Sequence, residues 1–356
     1  MVKKRIYSYD IIRIVAASAV VMVHVAAPFI TRSPIGSDPF VCANTFGALS
    51  RLGVQMFVML SGALILREER EYTFRTMFKS ISKLLILLAV WSVFYAVVLP
   101  LVLGQELILH DVIIAFWDGH YHLWYLFMLI GLHLITPILR IFAKKQNAKM
   151  VLYFVALAVL FEYLPPITNF FYTKYGAAEE VFLEYADKFR IGLITEYTAY
   201  YLLGWYLTTV ELTKKVRCGI YSLGFLGILL TVLGSVYYSE GRYRAYHVFY
   251  PNHTINVFFY SVAAFVLLHY LFRDRQIGKR TMKCLSKISG LTLGIYVIHV
   301  FVLEMILKNI PDIPQLIQNG SVVVTILLLW LAVVVISLLV AYLISWIPIV
   351  KNVIRS

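Results

Sequence analysis

The sequence predicts an all-α, polytopic integral membrane protein with about ten transmembrane helices and both termini cytoplasmic. Three observations carry that prediction. First, 61% of the 356 residues are hydrophobic and only 14% are charged, with a mean hydropathy of +0.79, whereas soluble domains run near a quarter charged. Second, repeated stretches reach the length of about 20 mostly apolar residues that a spanning helix needs. Third, Lys and Arg alternate between rich and poor connections in the manner of the positive-inside rule. Together these exclude a disordered chain, a coiled coil and an ordinary soluble enzyme.

Taken in order, the expected spans are 11–30, 46–66, 84–103, 121–142, 150–171, 191–210, 218–238, 254–272, 288–307 and 321–350. Segments 84–103, 218–238, 254–272 and 321–350 contain no charged residue. Segment 191–210 is the weakest, because Glu196 and several Tyr dilute it. The last segment is long enough to tilt or to run on beyond the bilayer. The first is a full-length span with no small-residue cleavage site after it, unlike a signal peptide. No internal repeat or linker divides the chain, so residues 1–356 are expected to form one membrane domain with no appended soluble domain.

With the N-terminus inside and ten crossings, 23 Lys and Arg fall in inner segments and 8 in outer ones, with Arg13 left inside the first helix. Arg51 is counted among the outer eight. The net charge of +13 is therefore mostly topology, and no nucleic-acid partner is needed to explain it. The longest outer connection, about 165–190, is rich in Tyr and Phe and holds Glu179, Glu180, Glu184 and Asp187. Cys42, Cys218 and Cys284 form neither a disulfide framework nor a metal-type spacing, and no metal site is expected.

Ionisable groups within a membrane are costly and mark function by default. The first span holds Asp10, Arg13 and His24. Eleven residues at about 100° each return Arg13 and His24 to one face, about 16 Å apart. Asp10 lies one turn before Arg13, within pairing reach. Such a rod suits a long ligand with a charged end at Arg13 and a reactive end at His24, since neutral imidazole is the natural general base near neutral pH. The bland alternative is a snorkelling Arg13 and a His24 that bonds a neighbouring helix.

Asp10, Arg13 and His24 in an Arg-x10-His pattern resemble the first helix of the acyltransferase-3 family of membrane acyltransferases. Three more stretches are similar to that family's motifs: Phe57-Val58-Met59-Leu60-Ser61-Gly62, His122-Leu123-Trp124-Tyr125-Leu126, and Thr292-Leu293-Gly294-Ile295-Tyr296-Val297-Ile298-His299. Each motif alone is weak, but four in order across the whole chain are specific. The resemblance implies acyl transfer from a cytoplasmic acyl-CoA, commonly acetyl-CoA, to a hydroxyl of a cell-surface glycan or a related extracytoplasmic acceptor. It excludes aminoacyl groups and implies a bacterial cytoplasmic membrane. His24 is then the catalytic base and Arg13 holds the donor. One departure stands out. The family's Arg-x-x-Arg pair before the third helix is represented here by Ser80 and Lys83, with Arg75 and Lys79 nearby.

The resulting assignment places Asp10, Arg13, His24 and His299 at the catalytic centre, and Arg13, Ser61, Arg75, Lys79, Lys83 and Tyr296 on acyl-CoA. His122, Trp124 and Glu304 are placed on the acceptor. His120 reads as loop, His133 and His269 as structural, and Ser61-Gly62 equally as a close helix contact. Direct attack on the thioester and a transient acyl-imidazole are both open. A homodimer and a separate extracytoplasmic acceptor protein are both compatible with a chain of this length. A transporter or flippase for a small hydroxylated molecule or glycan is the rival reading, although no broken-helix inverted halves are apparent.

Overall fold

The computed structural model describes residues 6–174, 188–189, 192–240, 248–310 and 321–346. Among them there is no strand, and nine helical segments are long and apolar enough to cross a bilayer. The tenth expected span falls on the helical stretch Gly192–Thr209, which is kinked at Glu196 and is not apolar enough to be among the nine. The expected cytoplasmic termini lie outside the described residues, as do Glu179, Glu180, Glu184 and Asp187 of the outer connection.

Helix α1 (Tyr7–Arg32) is the central element. It packs against α2 (Asp38–Ser50) and α3 (Leu52–Ile65), and later helices complete its surround. Its apolar face, which includes Ile12, Ala16, Val21 and Val25, is fully enclosed. Helix α4 (Phe74–Val93) opens with a capping box in which Thr73 and Thr76 satisfy each other's backbone N–H groups. It leads through a π-helical turn, Phe94–Val98, into α5 (Leu99–Leu103). Helix α6 (Leu109–Asp118) buries no side chain and exposes Ile113, Ile114 and Trp117, the pattern of a helix lying along a membrane surface.

Next come α7 (Trp124–Phe142), α8 (Ala148–Ala158), a second π-helical turn at Val159–Tyr163, and α9 (Pro165–Lys174). Helices α10 (Gly192–Thr209), α11 (Lys214–Ser239) and α12 (Ile255–Phe272) follow. The short basic α13 (Lys279–Ser289) then precedes α14 (Thr292–Asn309) and α15 (Val322–Ile344). Helix α15 shows Leu328 and Leu343 to its surroundings, as lipid-facing residues do.

Helices α3 and α10 meet backbone to backbone. A Cβ on Gly62 would lie 1.7 Å from the Tyr201 carbonyl oxygen, and one on Gly204 would lie 1.8 Å from that of Met59. Gly62 is thus required by packing, since only hydrogen fits at either crossing point.

Candidate functional site

The Arg-rich connection after α3 is ordered by its own side chains. A helix leaves its last carbonyls unpaired, and here arginines fill them. Arg67 Nε donates to the Ala63 carbonyl over 2.9 Å, and Arg70 donates to Leu64 over 3.2 Å. Arg140, from the end of α7, donates to the carbonyls of Ile65, Arg67 and Arg70 over 2.5, 2.9 and 2.6 Å. Arg67 also donates to the Tyr9 hydroxyl over 2.5 Å. Cations that the charge count treats only as topology markers thus build the inner end of the protein.

Above this connection lies an inner cavity of about 370 Å³. Arg13, Arg70 and Lys83 supply its positive charge, while Ser61, Tyr125 and Tyr296 also line it. Four of the six residues expected on acyl-CoA, Arg13, Ser61, Lys83 and Tyr296, converge here. Arg75 and Lys79 do not line it. They are exposed on α4, on the turns that lead from Lys83 toward the start of the helix. Ser80, at the place of the first arginine of the family's pair, does line the cavity. Arg13 donates to Ser289 Oγ over 3.5 Å, and Ser61 spends its hydroxyl on the Phe57 carbonyl over 2.9 Å. Asp10 is buried, 4% exposed. His133, expected to be structural, also lines the cavity and contacts the Tyr72 hydroxyl through Nδ1 over 3.1 Å.

An outer cavity of about 610 Å³ holds His24 in its wall, together with Arg51, Trp124, Glu196, Tyr197 and His253. The single face joining Arg13 to His24 is therefore shared between two cavities. The partition is aromatic. Tyr125 and Tyr296 meet with ring centroids 5.3 Å apart, and Phe57 lies 6.0 Å from Tyr125.

At the partition four imidazoles gather. His24 and His299 have ring centroids 5.0 Å apart, His122 lies 5.4 Å from His299 and 6.4 Å from His24, and His120 lies 5.0 Å from His122. His122 and His299 are buried, while His24 is partly exposed to the outer cavity. The tautomer of His299 follows from its partners. Nδ1 lies 2.6 Å from the Tyr296 carbonyl and 3.2 Å from that of Ile295, so it carries the proton. Its buried Nε2 has a free lone pair and no protein partner.

His122 is fixed by a hydrogen bond from the Tyr296 hydroxyl to its carbonyl and by His120, with 2.9 Å between the two Nδ1 atoms. Burial pushes His120 down to about 4, so it is neutral near pH 7. Tyr95, turned inward by the first π-helical turn, stacks on His120 at 4.3 Å and donates to the Val297 carbonyl over 2.8 Å. Such turns recur at functional sites. Glu304 lines neither cavity. It stands near Tyr121, whose phenol is pushed up to about 12 by burial and by that carboxylate, and the Tyr121 ring lies 5.5 Å from His24. Trp124 faces the outer cavity beside Tyr197, 5.5 Å between ring centroids.

Several members of the site escaped the sequence reading. His120 is part of the imidazole group rather than a bystander in a loop. Tyr95 sits in an apolar run where nothing distinguishes it from a packing aromatic, and Tyr125, although part of a family motif, carried no assigned role. Arg51, counted as an outer-loop charge, lies instead at the break between α2 and α3 within the helical stretch Asp38–Ile65. Its position inside an apolar segment was the available signal. No group of three or more His, Cys, Asp or Glu among the described residues has metal-holding geometry.

A comparison with protein families matches residues 6–346 to the acyltransferase-3 family, described as an acyltransferase domain. No curated protein and no solved structure matches the chain.

Proposed function

The chain belongs to the acyltransferase-3 family of membrane acyltransferases, and from that premise we propose that it transfers an acyl group, acetyl in the simplest case, from cytoplasmic acyl-CoA to a hydroxyl of an extracytoplasmic acceptor, a carbohydrate. The site of action in this reading is a bacterial cytoplasmic membrane. The observation that supports it most is a pair of cavities on one helix, a basic one lined by Arg13 and another lined by His24 together with aromatic and polar side chains, with His299 packed beside His24.

In this reading Arg13, Arg70 and Lys83 hold the donor's phosphates, with Arg75 and Lys79 guiding it to the cavity mouth. Guanidinium forks and an ammonium point charge both serve phosphate. The pantetheine arm passes the Tyr125–Tyr296 partition and brings the thioester to His24. His24 takes the proton from the acceptor hydroxyl as the oxygen attacks the thioester carbon. The new C–O bond forms as the C–S bond breaks, and the thiolate leaves with the proton returned by His24. The products are an O-acyl ester and free CoA thiol. Buried His299 holds its neighbour's ring in place, with an Nε2 lone pair to accept a hydrogen bond. Trp124 and Tyr197 offer stacking surfaces for a sugar, and His122 fixes the aromatic partition.

Acetyl-CoA binding is the test that divides this reading from a transporter. The full chain in nanodiscs is expected to bind acetyl-CoA, and Arg13→Ala to weaken that binding about tenfold or more, the worth of a charged hydrogen bond. Absence of acetyl-CoA binding to folded wild type would leave the transporter reading standing instead.

A further inference from the structure

Arg51 is a cation placed in a membrane protein with nothing to neutralise it. It lies at the α2–α3 break and lines the outer cavity. Its Nε is buried without a hydrogen-bond partner, and none of the ion pairs among the described residues includes it. The surrounding polar groups are engaged elsewhere. Tyr250 donates its hydroxyl to the Asn44 carbonyl over 2.8 Å, Tyr260 donates to Ala48 over 2.9 Å, and Asn252 Nδ2 donates to the Tyr197 hydroxyl over 3.2 Å. Only the face of the Tyr250 ring supports the guanidinium, 4.9 Å away, a cation–π contact that orients the fork but leaves its charge uncompensated.

Arg51 is half-buried, with its Nε withdrawn from water and the residue in the cavity wall, and an anion bound there would offset that partial desolvation. The one carboxylate in this wall, Glu196, is exposed and makes no ion pair with Arg51. The missing anion therefore falls to the ligand.

We infer that the acceptor carries an oxyanion, a carboxylate or a phosphate, bound by the Arg51 fork in the outer cavity. The inference rests on the acyl-transfer reading for calling that ligand the acceptor. The oxyanion sits on Arg51, and the hydroxyl to be acylated lies across the same cavity at His24. Glu196 repels the anion from its own side and accepts hydrogen bonds from the remaining hydroxyls. The polarity of the wall thus fixes which hydroxyl reaches the imidazole. An acidic sugar has both required groups on one small frame.

The test uses glucuronate, glucose 6-phosphate and glucose as probes, binding the full chain in nanodiscs, for wild type, Arg51→Lys and Arg51→Gln. At least one anionic probe is expected to bind wild type about tenfold to a hundredfold tighter than glucose, the range for a charge-assisted hydrogen bond. Arg51→Gln removes that advantage, and Arg51→Lys keeps only part of it. Preference for glucuronate identifies a carboxylate, and preference for glucose 6-phosphate a phosphate. No advantage for either anion, or an advantage unchanged in Arg51→Gln, overturns the inference. Acetyl-CoA binding, measured on the same samples, reports folding of the variants. Anion preference without acetyl-CoA binding sinks the acyl-transfer reading and leaves the anion site.

Discussion

The imidazoles of His24 and His299 lie with ring centroids 5.0 Å apart, and the second is locked by its Nδ1–H on the Tyr296 carbonyl over 2.6 Å. The pair is asymmetric. His24 reaches the outer cavity, while His299 is enclosed and keeps a free Nε2 acceptor. His299 is therefore a positioning residue. His299→Gln is expected to lower kcat about 100-fold, the cost of a misplaced catalytic group, with the KM for acyl-CoA little changed. A fall in donor affinity with kcat preserved would contradict this role.

Arg140 holds three carbonyls of the connection that carries Arg70. Arg140→Ala frees that connection and leaves part-buried acceptors short of partners, each costing less than the roughly 1–3 kcal/mol of a fully buried one. Acyl-CoA binding is expected to weaken and thermal stability to drop, while acceptor-side binding stays closer to wild type. Equal loss on both sides would point to general unfolding instead.

Gly62→Ala and Gly204→Ala each place a methyl within 2 Å of a backbone carbonyl. Helices α3 and α10 must then separate, and both variants are expected to lose most of their folded yield in detergent, read by size-exclusion profile. A well-folded Gly62→Ala protein would show that the two helices do not cross so closely.

Burial lowers His120 from 6.5 to about 4. The unfolded chain takes its proton near 6.5 and the folded one only near 4, so this group's contribution is intact above 6.5 and declines as pH falls through that window. His120→Gln is expected to flatten the loss of thermal stability between those limits. An unchanged slope would assign the acid sensitivity elsewhere.

Much of the architecture could be read from composition, because an uncharged run such as 84–103 has no alternative to spanning. The same run hid its π-helical turn, since nothing in Phe94 and Tyr95 marks where a hydrogen-bond ladder slips by one residue. Intramembrane rarity made Arg13, His24 and His299 visible. Arg51 was lost because a cation near a helix end is normally assigned to the adjacent loop, and only packing reveals that the helix continues past it. Arg75 and Lys79 looked equivalent to Lys83 in sequence, but position along α4 separates them from the cavity. Half of the four-histidine group was legible, since His24 and His299 were expected at one centre, but His120 and His122 come from the α6–α7 connection, which meets α1 and α14 only in the folded protein.

The central claim is that His24, in the wall of the outer cavity, moves the acceptor's proton. It is tested most directly by single-turnover transfer of radiolabelled acetyl from acetyl-CoA to membrane acceptor, comparing wild type with His24→Gln in nanodiscs. The account predicts a loss of about 100-fold to 10,000-fold in the rate of transfer, the span for a general base, with acetyl-CoA binding retained. A His24→Gln protein that transfers acetyl at a rate near that of wild type would contradict it.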